Sequence, residues 1–76
     1  MNVNEIIENA KSKCIIGKDF ELRDNDNRRI TTYKNLLKHI GAYKHSIKKM
    51  STEDKAILSK NIFRVAINGK AYLMLK

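Results

Sequence analysis

Seventy-six residues, 42% of them hydrophobic, carry sixteen basic and eight acidic side chains for a net charge of +8. That length leaves room for one domain, 1–76, and no second core. The single cysteine excludes an internal disulfide, no zinc-ligand spacing is present, and no run approaches the roughly 20 apolar residues of a membrane span.

The charge is polarised. Residues 1–26 have a net charge of −2 and residues 27–76 a net charge of +10. Such a field favours a polyanionic partner and says nothing about fold.

The opening MNVNEIIENAKSK is acidic and amphipathic, without the cationic start of a secretory signal. With so little cysteine, the expected location is a reducing cytoplasm, with no membrane partner. Val3, Ile6, Ile7 and Ala10 recur at helical spacing, so the first helix is expected over 3–13, capped by Asn2 or Asn4. Cys14, Ile15 and Ile16 are expected to run into the core as a short extended or irregular piece, ended by Gly17.

Phe20 and Leu22 alternate with Glu21 and Arg23, which is strand patterning. Asp24-Asn25-Asp26-Asn27 is a dense turn signal. Arg28 to Thr31 is expected to return as the second strand; a two-residue loop would pair Leu22 with Arg29, but a three-residue loop, Asn25 to Asn27, pairs Leu22 with Ile30 and is favoured because burial of one face sets the register.

Thr31 or Thr32 caps the next helix. Tyr33, Leu36, Leu37, Ile40, Tyr43, Ile47 and Met50 fall on one helical face. Gly41, following Lys38 and His39, is a stop signal inside that run. Either one helix spans 32–49, which the unbroken periodicity favours, or a helix over 32–40 precedes a short second turn over 42–49. Ser51 opens a short helix over about 52–60, with Ala56, Ile57 and Ile62 on its buried side.

FRVAINGKAYLMLK closes the chain as a hairpin. Asn68-Gly69 suits a type I′ turn and pairs Ile67 with Lys70, Val65 with Tyr72 and Phe63 with Met74. The face of Phe63, Val65, Ile67, Tyr72 and Met74 is expected to be buried. The opposite face, with Leu73 and Leu75, is too apolar for solvent, so the hairpin is covered on both sides or meets a partner. The expected fold class is α+β: an antiparallel sheet of about four strands, two hairpins, packed on two to three helices.

No pattern of catalytic chemistry appears, so no enzyme, cofactor or metal is expected. Asp24-Asn25-Asp26-Asn27-Arg28 begins like a calcium loop, but Arg29 stands where that loop needs glycine. His39 and His45 are six apart, a spacing that points them apart on a helix. They are expected to be exposed helix residues. Cys14 is expected to be a buried small apolar residue.

The basic surface is the positive signal. From Arg28 to Lys49 there are seven basic residues and no acidic one. The candidate nucleic-acid contacts are Arg28, Arg29, Lys34, Lys38, Lys44, His45, Lys48 and Lys49. On a continuous helix Lys34, Lys38, His45, Lys48 and Lys49 would form one stripe, with few partners of opposite sign. Lysine suits phosphate oxygens more than base edges, so backbone recognition of low sequence specificity is expected, with RNA slightly favoured over DNA. The helical periodicity assigns the tyrosines to the core rather than to base stacking.

The isoleucine, lysine and asparagine bias, with no proline or tryptophan, gives the chain the style of small accessory proteins of AT-rich bacteriophages. The alternative function is accordingly a phage-type inhibitor that binds a host enzyme or toxin. It would act directly or through an RNA bridge, with the C-terminal hairpin as contact surface or homodimer face.

Overall fold

Asn2 sets where the first helix begins. In the computed structural model, which describes residues 1–43 and 46–76, the Asn2 side chain accepts the Glu5 N–H at 2.9 Å. The Glu5 carboxylate returns to the Asn2 N–H at 3.4 Å, completing a capping box. Helix α1 runs Val3–Lys13, as expected, and buries Val3, Ile6, Ile7 and Ala10.

Cys14 leaves the helix buried, but Ile15 and Ile16 do not follow it into the core. They are exposed and form a short strand, β1 (Ile15–Ile16), antiparallel to β2 (Leu22–Arg23). The turn between them is tight. Gly17 N–H donates to the Glu21 carbonyl at 2.8 Å, and Phe20 N–H donates to the Gly17 carbonyl at 3.0 Å. Phe20 takes a φ of 65°, which breaks the expected alternation. Its side chain is 61% exposed, and Glu21 is buried in its stead.

The loop that follows has the expected register. Asp24 N–H donates to the Arg28 carbonyl, and Ile30 N–H to the Leu22 carbonyl, both at 2.8 Å. Asn25 to Asn27 form the three-residue loop, and Asn27 adopts φ 62°. The return strand shrinks to one bridge, Arg23 with Arg29, because the Ile30 carbonyl turns to accept Leu73 N–H at 3.0 Å.

Helix α2 covers Tyr33–Ile40, capped by the Thr32 hydroxyl. The continuous helix over 32–49 does not form. Gly41 adopts φ 79°, its N–H donates to the Lys38 carbonyl, and Ala42 N–H donates to the Leu37 carbonyl at 2.8 Å. This pair of bonds is a Schellman stop. Ile47 and Met50 still pack against the core, but from a turn, so their periodicity fits both geometries.

Helix α3 covers Thr52–Asn61, with Ser51 accepting the Asp54 N–H. Its buried residue is Leu58; Ala56 and Ile57, expected inside, are exposed. The chain then enters β3 (Ile62–Ile67) and β4 (Lys70–Leu75), in the expected register. The face expected outside is the one that reaches the main core, while on the face expected inside Tyr72 is buried and Phe63, Val65 and Met74 are half-buried. Ile62 and Leu73, both 0% exposed, point to the core with Leu75 against it, while Ile67 on the other face is 49% exposed.

The result is a small α+β domain of two hairpins on three helices. The expected single sheet is two two-stranded sheets, linked by the Glu21–Met74 bridge and by backbone bonds from Leu73 N–H to the Ile30 carbonyl and from Leu75 N–H to the Phe20 carbonyl. Leu22, Ile30, Ile62 and Leu73 meet Ile6, Ala10, Leu36, Leu37, Ile40 and Leu58 in the core.

Candidate nucleic-acid interface

The end of α2 at Gly41 decides the geometry of the basic residues. Lys34 and Lys38 stay one helical turn apart, both exposed. Lys48 and Lys49, also exposed, lie in the turn that follows and not on that helix, so the single stripe is not built. Arg28 and Arg29 are exposed on the return of the first hairpin. Lys44 and His45 lie outside the described residues.

Two adjoining depressions gather part of this set. One, of about 440 Å³, lies between the first hairpin and α2 and is lined by Asp24, Arg29, Ile30, Asn35, Lys38 and His39. The next, of about 480 Å³, is lined by Lys34, Asn35, Lys38, Ala42 and Tyr43. Asn35 and Lys38 line both. Beyond Tyr43 a third depression, about 370 Å³, includes Lys49, Ser46, Met50 and Asp54. Tyr43 lines both this hollow and the preceding one, with Lys49 Nζ 5.7 Å from its ring centroid. Arg28 and Lys48 line none of these hollows.

The tyrosines part company here. The Tyr33 hydroxyl donates to the Ile62 carbonyl, and burial pushes its pKa up. Tyr72 is buried, with the Arg29 guanidinium 4.9 Å above its ring. Tyr43, expected in the core with them, is 61% exposed. Helical spacing placed it inside, and that spacing ceases to apply beyond Gly41. The glycine after Lys38 and His39 was the signal that could have found it.

His39 is also not a free helix histidine. Its Nε2 lies 3.0 Å from the Lys13 carbonyl, while Lys13 Nζ donates to the Ile40 carbonyl at 3.3 Å. Each helix thus satisfies a terminal carbonyl of the other, so α1 helps fix the C-terminal end of α2 and the lysines on it.

On the hairpin side, Asp24 Oδ1 accepts the N–H groups of Asp26 at 2.9 Å and Arg28 at 3.0 Å, the turn chemistry expected of that segment. Glu21, which sequence reasoning left on the surface, anchors the loop. Its carboxylate accepts both Arg23 Nε at 3.2 Å and Nη2 at 3.0 Å, and the Asp19 N–H at 2.9 Å. Its own backbone N–H and Arg23 hold its pKa below the ordinary carboxylate range. Arg23 Nη1 continues to the Asn27 carbonyl at 2.8 Å, so one guanidinium ties both turns together.

Burial pushes the Cys14 thiol up to about 11, which keeps it protonated near neutral pH and a poor nucleophile. Among the described residues, no group of three or more His, Cys, Asp or Glu is placed to hold a metal ion. None of the described helices is long and apolar enough to cross a membrane. Compared with the profiles of known protein families, with curated proteins and with solved structures, the chain matches none.

Proposed function

We propose that the chain is a small basic nucleic-acid-binding accessory protein that recognises phosphate backbones with low sequence specificity, RNA ahead of DNA. The observation that carries this reading is the pair of adjoining hollows that share Lys38 and Asn35 and are flanked by Arg29 and Lys34. A concave surface edged by cations concentrates the field on a strand laid along it. Lys34 and Lys38 are point charges on exposed stems, suited to phosphate oxygens, whereas Arg29 is partly committed to Tyr72.

The test is a fluorescence-anisotropy titration against single-stranded RNA, duplex RNA and duplex DNA at several salt concentrations. Binding is expected with log K falling linearly in log salt, at a slope of about −0.9 per phosphate neutralised on duplex and about −0.7 on single strands. Changing Lys34, Lys38 and Lys48 together to Glu should remove binding while leaving the fold intact, since all three are exposed. Unaltered affinity in that variant would remove these lysines from the account.

A second reading is attachment to a protein, as a phage-type inhibitor or a second copy, through the C-terminal hairpin. The observation for it is the outer face, where Ile67 is exposed and Phe63, Val65 and Met74 are half-buried. Leu73, by contrast, belongs to the core and cannot serve as contact surface. Absence of nucleic-acid binding at low salt would favour this second reading.

A further inference from the structure

We propose that the outer edge of β3 takes up an extended acidic segment of another protein as an added strand, paired with Arg64 and Ala66. This goes beyond the nucleic-acid reading. It rests on the second reading, attachment to a protein through the C-terminal hairpin, and gives that attachment a mode.

The ladder fixes which backbone groups are open. The Asn68-Gly69 turn pairs Ile67 with Lys70, and from there residues that bond across the hairpin alternate with residues that do not. Phe63, Val65 and Ile67 therefore direct their N–H and carbonyl groups to β4, while Ile62, Arg64 and Ala66 direct theirs away from it. The far edge of β4 shows the same alternation. Leu73 N–H donates to the Ile30 carbonyl at 3.0 Å and Leu75 N–H to the Phe20 carbonyl at 2.9 Å, so the first hairpin occupies that edge. On β3, Ile62 is also satisfied: its N–H donates to the Leu58 carbonyl, and its carbonyl accepts the Tyr33 hydroxyl. The outward N–H and carbonyl groups of Arg64 and Ala66 have no partner among the described residues, and both residues are exposed.

An open edge that bears a charge is by itself the ordinary device against self-pairing. Charge decides what this edge can accept. Residues 55–76 hold five basic side chains and no acidic one. A second copy laid along β3 would bring the same cations against them. No carboxylate among the described residues pairs with Arg64. An incoming strand with Asp or Glu opposite Arg64 makes a cross-strand pair of opposite charge. Alternation then sets its other face: the residue opposite Val65 lies beside Phe63, Val65 and Ile67 and is apolar. Ile67 is 49% exposed, so cover there removes apolar surface from water. Backbone bonds supply the attachment, and the alternation of acidic and apolar residues supplies the selection.

The experiment follows amide hydrogen exchange by NMR, with the protein alone and with short synthetic peptides that alternate valine with glutamate or valine with lysine. In the protein alone, Arg64 and Ala66 N–H should exchange fast, and Phe63, Val65 and Ile67 N–H slowly. The glutamate peptide, at about ten times its Kd, should slow exchange at Arg64 and Ala66 about tenfold. The lysine peptide should leave it unchanged. Arg64→Glu should reverse this preference, with slow exchange at Phe63 and Val65 showing that the hairpin persists. If the glutamate peptide shifts the Val65 and Ile67 resonances without protecting Arg64 and Ala66, strand addition falls and docking on the outer face stands. If it perturbs none of these residues, the inference is overturned, and the second reading rests on the apolar face alone. If Arg64 and Ala66 exchange slowly in the protein alone, and more slowly as its concentration rises, a second copy fills the edge and the acidic strand is overturned.

Discussion

Between Ile15 and Arg23 the chain makes strands of two residues; between Ile62 and Leu75 it makes strands of six. The longer hairpin is held by its ladder and by the Asn68-Gly69 turn, with φ values of 52° and 77°. Two-residue strands cannot rely on a ladder, because even a full isolated hairpin is marginal in water. The shorter hairpin instead depends on a buried carboxylate. Glu21 reaches across its own turn to the Asp19 N–H and is clasped by Arg23. One hairpin is specified by backbone pairing, the other by three side-chain hydrogen bonds and the docking of Leu22. The lesson concerns position: the polar clamp sits where the loop bearing Arg28 and Arg29 must be held against α2.

The sharpest way to break the comparison is through the residue on which both hairpins converge. Leu73 is fully buried, and its N–H is bonded to Ile30. Leu73→Ala should cost about 2–5 kcal/mol. A small domain has roughly 3–5 kcal/mol in reserve, so urea titration should find it close to unfolded. Ile67→Ala, on the same hairpin but at its exposed end, should stay within about 0.5 kcal/mol of wild type. Equal effects at the two positions would mean that the hairpin is stabilised along its whole length and not at its base.

The next effect isolates the clamp. A Cβ at Gly17 would stand 2.1 Å from Glu21 Oε1, so Gly17→Ala should expel the carboxylate and lower Tm by several degrees. The contact is with a side chain and not with backbone, so the loss should largely vanish when Glu21→Ala is already present. A double-mutant cycle measures this coupling, and additive effects would show that Gly17 serves some other purpose. The clamp also has a pH signature. The folded state depresses the Glu21 pKa from its ordinary value of 4.5, so its contribution is complete above that value and is lost as pH falls through the depressed one. Glu21→Gln should lack this part of the acid limb when stability is followed by denaturation between neutral and acid pH.

The same contrast explains what could be read from the residues beforehand. Local signals were the most legible: a capping asparagine, Asn2 or Asn4, of which Asn2 does the capping; the three-residue loop, preferred because it sets Leu22 opposite Ile30; and the whole register of β3 and β4. Where two solutions share one pattern, the choice depended on tertiary structure. Ile47 and Met50 reach the core from a turn as readily as from a helix, so their spacing hid the stop at Gly41. Both faces of the C-terminal hairpin are apolar, and the choice between them follows from which one the helices cover. Phe20 and Glu21 changed places because the turn needed a left-handed residue. The basic residues were legible as composition, but their arrangement was not. Lys34 and Lys38 are parted from Lys48 and Lys49 because α2 stops at Ile40.

The smallest effect compares how the two loops obtain their left-handed residues. The loop between Asp24 and Arg28 uses Asn27 at φ 62°, the turn between β3 and β4 Asn68 at φ 52° and Gly69 at φ 77°. A Cβ at Gly69 would meet nothing within 4 Å, so the cost of Gly69→Ala is the conformational one alone, about 1–2 kcal/mol. Asparagine tolerates this region through its short polar side chain, so Gly69→Asn should cost less than Gly69→Ala, as Asn27 and Asn68 already do at their own positions. Thermal denaturation of the two variants tests this order. If alanine and asparagine cost the same, turn strain is not what distinguishes residues there, and the register of the longer hairpin is fixed instead by Ile62, Leu73 and Leu75 on the core.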